Sequence, residues 1–144
     1  GASACAFAAA TQNKNNAKIF CIDTWNNDAL TEGKIDTFET FLSNTKRFNR
    51  KITPIRGYSK SVSDILLQHT DYVDLLFIDG DHSYEGVKCD WDLYNKFLTP
   101  GSIIILHDYG WANGVKRVII EDIRKRICNE GHLPNMWWGV IADK

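Results

Sequence analysis

Apolar positions along these 144 residues alternate between two rhythms. Ala17 to Trp25 (AKIFCIDTW) is a β-branched and aromatic run ending in an acid, and it predicts a strand. Ile35, Phe38, Leu42 and Thr45 then recur at helical intervals, with Lys46, Arg47 and Arg50 at the exposed end. Lys51 to Ser59 (KITPIRGYS) reads as a second strand, and its Pro54 suggests an edge position. Ser61 and Asp64 form a capping-box-like pair ahead of Ile65 and Leu66, which predicts a short helix. Val73 to Ile78 (VDLLFI) is apolar almost throughout, as a parallel strand buried on both faces should be. Val87, Trp91, Tyr94 and Leu98 make the core stripe of the next helix, which Pro100 and Gly101 end. Ser102 to Leu106 (SIIIL) predicts another buried strand. Val115, Val118, Ile119, Ile123 and Ile127 predict an amphipathic helix, its outer face carrying Glu121 with Lys125 and Asp122 with Arg126. Met136 to Ile141 (MWWGVI) is expected as one final strand.

Strand and helix alternating in this way imply right-handed βαβ crossovers and a mainly parallel sheet. No internal repeat, low-complexity tract or linker interrupts the pattern, so residues 1–144 read as one α/β domain. In an open parallel sheet, ligands sit beyond the carboxyl ends of the strands. Those ends read Asp23-Thr24-Trp25, Gly57-Tyr58-Ser59, Asp79-Gly80-Asp81-His82 and His107-Asp108-Tyr109. Carboxylates gathered without partners repel one another, so a chain that collects them there binds something.

An acid where Asp23 stands can accept two ribose hydroxyls through its two oxygens, the local alternative being an N-cap. Trp25 reads equally as the flank of an adenine or as core. Gly1-Ala2-Ser3, leading into the small-residue stretch Ala4 to Ala10, has the form of the second half of a glycine-rich turn at a helix N-terminus. A frayed terminus is the alternative.

Composition narrows the partners. A formal net charge of -1 offers no global attraction to nucleic acid or an anionic membrane, and neither is expected as a partner. The basic stretches at Lys46–Lys51 and Arg124–Arg126 read as solvated surface. No apolar run approaches the roughly 20 residues of a bilayer span. The four cysteines, Cys5, Cys21, Cys89 and Cys128, are widely spaced without a CxxC pair, which points to reduced structural thiols and a cytoplasmic location.

The stretch Leu75 to Tyr109 (LLFIDGDHSYEGVKCDWDLYNKFLTPGSIIILHDY) resembles a bacterial class I S-adenosylmethionine-dependent methyltransferase family. Its members carry FIDGDHxYE, a helix, then PGG and a strand ending in HD. Gly114-Val115-Lys116-Arg117 matches the GVKRA pattern that follows there. Ile22 to Trp25 and Gly57 to Ser59 occupy the places of the family's ribose and adenine motifs. The resemblance implies a Rossmann-like three-layer sandwich with S-adenosylmethionine as cofactor. Asp23 would hold the ribose with Thr24 and Trp25 beside it, and Ser59 would lie near the adenine. Gly1 and Ser3 would line the methionine end, and Asp79, Gly80, Asp81 and His82 would border the sulfonium. The family opens with a strand and a glycine loop of the form E-x-G-x-x-x-G-x-S. Only G-A-S stands here, so the chain is expected to start partway through its cofactor loop and to lack the N-terminal strand. PGG is Pro100-Gly101-Ser102 here.

Catechol-type relatives hold Mg²⁺ with an acid after the fourth strand of their fold and an Asp-Asn pair after the fifth, and the matching positions here are Asp79, His107 and Asp108. His107 brings a nitrogen, which Mn²⁺ tolerates better than Mg²⁺ does. Against a metal stands a reading in which His107 and Asp108 bond to loops and to each other, or take a proton from a substrate hydroxyl. His82, His107 and Asp108 are the candidates for that base. His69 and His132 lie away from the strand ends and are expected at the surface. The acceptor that the resemblance implies is a small hydroxyl-bearing molecule such as a sugar or a natural-product intermediate. Trp137-Trp138 reads as core by default, with an acceptor wall or a homodimer contact as alternatives. A nicotinamide-dependent oxidoreductase or a non-catalytic nucleoside-binding domain would share the fold. The absence of a G-x-S-x-G elbow argues against a hydrolase.

Overall fold

The computed structural model describes residues 1–26 and 35–143, and its contacts divide the chain into two compact units, Gly1–Leu66 and Leu67–Lys144. In the first unit, α1 (Ala2–Ala10) leads to β1 (Ile19–Asp23), then α2 (Phe38–Thr45), β2 (Ile52–Arg56) and α3 (Ser59–Leu67), whose last residue falls past the boundary. β1 and β2 pair in parallel, Ile19 opposite Ile52 and Asp23 opposite Arg56. A βαβ crossover through α2 is what joins two parallel neighbours. Ala4, Ala8, Trp25, Phe41 and Ile52 form the core here. The small residues of α1 permit close approach. A methyl on Gly1 would meet the Phe41 ring at 3.2 Å.

In the second unit, β3 (Val73–Ile78), α4 (Tyr84–Tyr94) and β4 (Leu98–His107) form a second parallel crossover. α5 (Asn113–Val118) continues through a π turn and a 3-10 turn into β5 (Ile127–Leu133), and β6 (Met136–Ile141) closes an antiparallel hairpin. The sheet order is β3-β4-β6-β5. One face, with Ile78, Ile104, Leu106, Trp137 and Ile141, packs on Val87 and Trp91 of α4 and on Val115, Val118, Ile119 and Ile123. Ile104, Leu106, Val118, Ile119 and Ile123 are 0% exposed, so each contributes the roughly 1.5–3 kcal/mol of a fully buried aliphatic side chain.

Most expected elements are present, with informative differences. Ser61 and Asp64 lie inside α3, which starts three residues earlier than a cap at Ser61 requires. Ile35 precedes α2 and is exposed. Leu98 belongs to the buried stripe but opens β4, because α4 ends at Tyr94 and a 3-10 turn intervenes. Pro100 and Gly101 sit within β4, at a register break that Ser102 ties down by donating its hydroxyl to the Val73 carbonyl at 2.9 Å. β3 is not buried on both faces: Asp74 and Leu75 are exposed, and β3 stands at the end of its sheet. Ile127 leaves the helix to pair with Ile141. With the α pattern lost there, Glu121 pairs one turn back with Arg117 at 2.7 Å, and Asp122 lies 3.9 Å from Lys88. β5 was hidden in ICNEGHL, whose polar and glycine positions suit an exposed edge strand and carry no alternating signal.

Candidate functional site

Parallel pairing sets the geometry of the second unit's polar residues. Ile78 is in register with Leu106, so Asp79 and His107 emerge side by side at the carboxyl ends of β3 and β4. Asp108 follows with φ +59, a left-handed conformation that costs a non-glycine residue about 1 kcal/mol and recurs at functional sites. Its carbonyl accepts the amides of Trp111 at 3.2 Å and Ala112 at 2.9 Å, closing the turn before α5.

Four side chains converge on the Asp108 carboxylate. Oδ1 accepts the Trp111 indole N–H and the Asn135 amide, each at 2.9 Å. Oδ2 faces His82 Nε2 at 2.7 Å and His107 Nδ1 at 3.0 Å. The same His107 nitrogen lies 3.2 Å from Asp79 Oδ1. That nitrogen is buried and close enough for ion pairs, yet it has no well-directed hydrogen bond. Among the described residues, Asp79, His82 and Asp108 bring potential metal-ligand atoms within 4.8 Å of one another.

The charges follow from these contacts. Burial opposes ionisation of Asp108, but the His107 imidazole beside it and the Asn135 and Trp111 hydrogen bonds outweigh it and hold its pKa at about 2. The Asp108 carboxylate in turn raises the pKa of His107, against the cost of burial and with help from Asp79. Asp79 is shifted upward, chiefly by burial. The cluster is therefore an ionised Asp108 flanked by imidazoles, with a second carboxylate that gives up its charge more readily.

The loop bearing His82 is rigidly built. Asp81 accepts the Ser83 amide at 2.8 Å and its hydroxyl at 2.9 Å, and the Ser83 Oγ accepts the Gly86 amide at 3.0 Å as the N-cap of α4. A methyl on Gly86 would strike the Asp81 side chain at 2.6 Å. Gly114 lies so close to the loop that a methyl there would meet the His82 carbonyl oxygen and stand 2.6 Å from the Ser83 carbonyl carbon. A methyl on Gly80 would reach Asp90 at an ordinary 3.4 Å.

In the first unit, Gly1 caps α1 and Ser3 is half-buried within it. Asp23 is exposed at the end of β1, where Oδ1 accepts the Trp25 amide at 2.8 Å and its carbonyl accepts the Gly57 amide at 2.9 Å. The Thr24 hydroxyl accepts the Asn26 amide at 3.2 Å. Trp25 is 5% exposed and wedged between Phe38 and Phe41 at ring separations of 4.9 and 4.8 Å, so packing favours its core reading over an adenine flank. Ser59 is half-buried at the first position of α3.

Asp79, His82, His107 and Asp108, singled out from separate motifs, thus form one cluster, with Asp81 supporting it. Sequence reasoning passed over Trp111 and Asn135. An aromatic two positions past HDY was a usable signal for the first. Asn135 carries none, because only the β5–β6 turn brings it to Asp108. Trp137 is 1% exposed in the core, which excludes it as an acceptor wall. His69 and His132 are exposed as expected, the His132 ring lying 5.6 Å from that of Tyr109. Burial pushes the Cys21 thiol up to about 11, so it is no nucleophile. No helix among the described residues is long and apolar enough to cross a membrane.

The profile of a family described as a methyltransferase domain matches residues 1–109. An uncharacterized protein of Acanthamoeba polyphaga mimivirus is 37% identical over 76 residues, covering 49% of this chain and 34% of its own length. Among solved structures, the TDP-rhamnose 3'-O-methyltransferase of calicheamicin biosynthesis is similar with a TM-score of 0.69 and 17% identity, over 95% of this chain and 66% of that one. The mycinamycin-pathway methyltransferase MycE, in complex with Mg, S-adenosylhomocysteine (SAH) and mycinamycin VI, gives a TM-score of 0.57 at 11% identity, over 95% and 48%. The chain therefore spans about a third of the curated relative and half to two thirds of these solved chains. Similarity at such identities speaks for the fold: mixed α/β, of the Rossmann-like methyltransferase kind.

Proposed function

The chain belongs to the methyltransferase-domain family, and from that premise we propose that it binds S-adenosylmethionine and transfers the methyl group to a hydroxyl of a small-molecule acceptor. The observation that carries this reading is the His82–Asp108 pair at 2.7 Å, at the carboxyl end of a parallel strand pair. Bound S-adenosylmethionine would supply a methyl already activated on a sulfonium. The protein's work is then positioning, plus removal of one proton from the acceptor oxygen. His82 takes that proton. Asp108 orients the ring through Nε2 and stabilises the imidazolium that forms, and its own negative charge is secured by Trp111 and Asn135. Asp23 receives the ribose hydroxyls, with Thr24 beside it and Ser59 toward the adenine. Gly1 and Ser3 flank the methionine end, and Asp79 to Asp81 border the sulfonium. The whole chain serves one domain's function in this reading. Its four unpaired cysteines suit a reducing, cytoplasmic setting.

The buried His107 Nδ1 without a directed hydrogen bond, 3.2 Å from Asp79 and 3.0 Å from Asp108, favours a second element, a divalent ion held by Asp79, His107 and Asp108. Such an ion would supply positive charge beside the acceptor oxygen. A set mixing oxygen and nitrogen donors suits Mn²⁺ better than Mg²⁺. MycE, with Mg in its solved complex, has this fold.

Calorimetric titration of S-adenosylhomocysteine, in parallel with NAD and with or without Mg²⁺ or Mn²⁺, tests the proposal. Binding of the homocysteine compound alone, lost in Asp23→Ala, is expected. Binding of NAD instead would turn the assignment toward an oxidoreductase, and binding of neither would sink it.

A further inference from the structure

Trp111 combines two properties that seldom occur together. It is 61% exposed, as open as any large hydrophobic residue in the described chain. It is also held at three points. Its indole N–H donates to Asp108 Oδ1 at 2.9 Å and its backbone amide to the Asp108 carbonyl at 3.2 Å. Its ring meets that of His82 edge-on, at 4.9 Å and 64°. Asp108 is fixed in turn by Asn135 at 2.9 Å. A solitary exposed apolar side chain is ordinary. One pinned beside a cluster of carboxylates and imidazoles has already lost the rotamer freedom that binding would otherwise cost.

The neighbours restrict what such a surface takes. Asp79, His82 and His107 are each about one-third exposed, at 37, 36 and 34% of their side-chain surface. They put several hydrogen-bond acceptors beside one open aromatic surface. A flat phenol would use the indole but bring a single O–H to these groups. A cyclic polyol brings an apolar C–H face for the indole and a row of hydroxyl donors for the carboxylates and imidazole. Resting on the reading of this cluster as the acceptor side of a methyltransferase, we propose that Trp111 is the acceptor platform and that it takes the C–H face of a pyranose-like ring, whose hydroxyl edge turns to Asp79 and His82.

Saturation-transfer NMR with methyl β-D-glucopyranoside and, separately, catechol as probes tests this on the intact chain. The expected result is transfer to the pyranoside ring protons, weakened about tenfold or more in Trp111→Ala and largely kept in Trp111→Phe, which retains a ring without the N–H. S-adenosylhomocysteine affinity should be unchanged in both variants. Circular dichroism should show both folded, since the residue is exposed. Equal transfer in wild type and Trp111→Ala, transfer to catechol alone, or no transfer at all would overturn the proposal. So would equal loss in both variants, which would assign Trp111 to holding Asp108 rather than to contact. Failure of S-adenosylhomocysteine to bind, with a Trp111-dependent pyranoside signal intact, would count against the methyltransferase reading and not against the platform.

Discussion

His82 Nε2 lies 2.7 Å from Asp108 Oδ2, although the two residues follow different strands of the sheet and are 26 positions apart in the chain (108 − 82). The contact exists because β3 and β4 are adjacent and parallel, and because Asp108 accepts a left-handed backbone. It links the loop after β3 to the loop after β4, so disturbing either residue should be felt at both.

Metal binding gives the first check. Thermal unfolding followed with added Mn²⁺ and Mg²⁺ should show the larger increase with Mn²⁺, because imidazole nitrogen favours the softer ion. An ion at a hundredfold its Kd would add about 2.7 kcal/mol. His107→Ala should remove the preference, and Asp79→Asn should weaken binding of both ions. Equal shifts with the two ions in the wild type would mean that His107 is not a ligand.

Gly114→Ala should destabilise the protein by about 1–3 kcal/mol, the usual cost of overpacking. The new methyl would press on the backbone of His82, Ser83 and Tyr84, which has no flexible tip to move aside. The change should also lower methyl transfer by displacing His82. A melting temperature within a degree of wild type would contradict the tight approach of α5 to this loop.

The pH dependence has a definite sign. The folded pKa of Asp108, about 2, is lower than the ordinary 3.8. Its contribution to stability is therefore complete above pH 4 and lost as the pH falls from 4 toward 2, a change of about 2 kcal/mol. His107 is shifted the other way, so its contribution is complete below its ordinary 6.5 and fades as the pH rises through its folded value. In metal-free protein, denaturant midpoints should decline on both sides, and Asp108→Asn should flatten the acidic limb. An unchanged acidic limb in that variant would show that other carboxylates carry it.

Trp137 offers a test of the core. It is 1% exposed, and its indole N–H has no hydrogen-bond partner. Trp137→Phe removes that unsatisfied donor and should cost under about 1.5 kcal/mol, whereas Trp137→Ala should cost about 3–5 kcal/mol. Urea denaturation of the two variants distinguishes them, and similar losses would mean that the N–H matters more than the ring.

How much of this was legible in the sequence depended on whether the deciding interaction was local. Short β-branched and apolar runs marked β1, β3, β4 and β6, and helical spacing marked the buried faces of α4 and α5, because both signals come from residues close together in the chain. The FIDGDH and HDY stretches identified Asp79, His82, His107 and Asp108 as a set, since parallel strands bring their carboxyl ends together whatever the details. Tertiary structure decided the rest. β5 exists because β6 offers it an edge to pair with, and its own residues show no strand period. Ile127 fits a helical stripe as well as a strand, and pairing with Ile141 made the choice. Trp25 went to the core because Phe38 and Phe41 surround it. Asn135 reached Asp108 only through the hairpin turn, across 27 residues of chain. Periodicity records which side of an element is apolar. Which partner covers that side, and which polar atom meets which, is set by contacts between residues far apart in the sequence, and no local pattern encodes them.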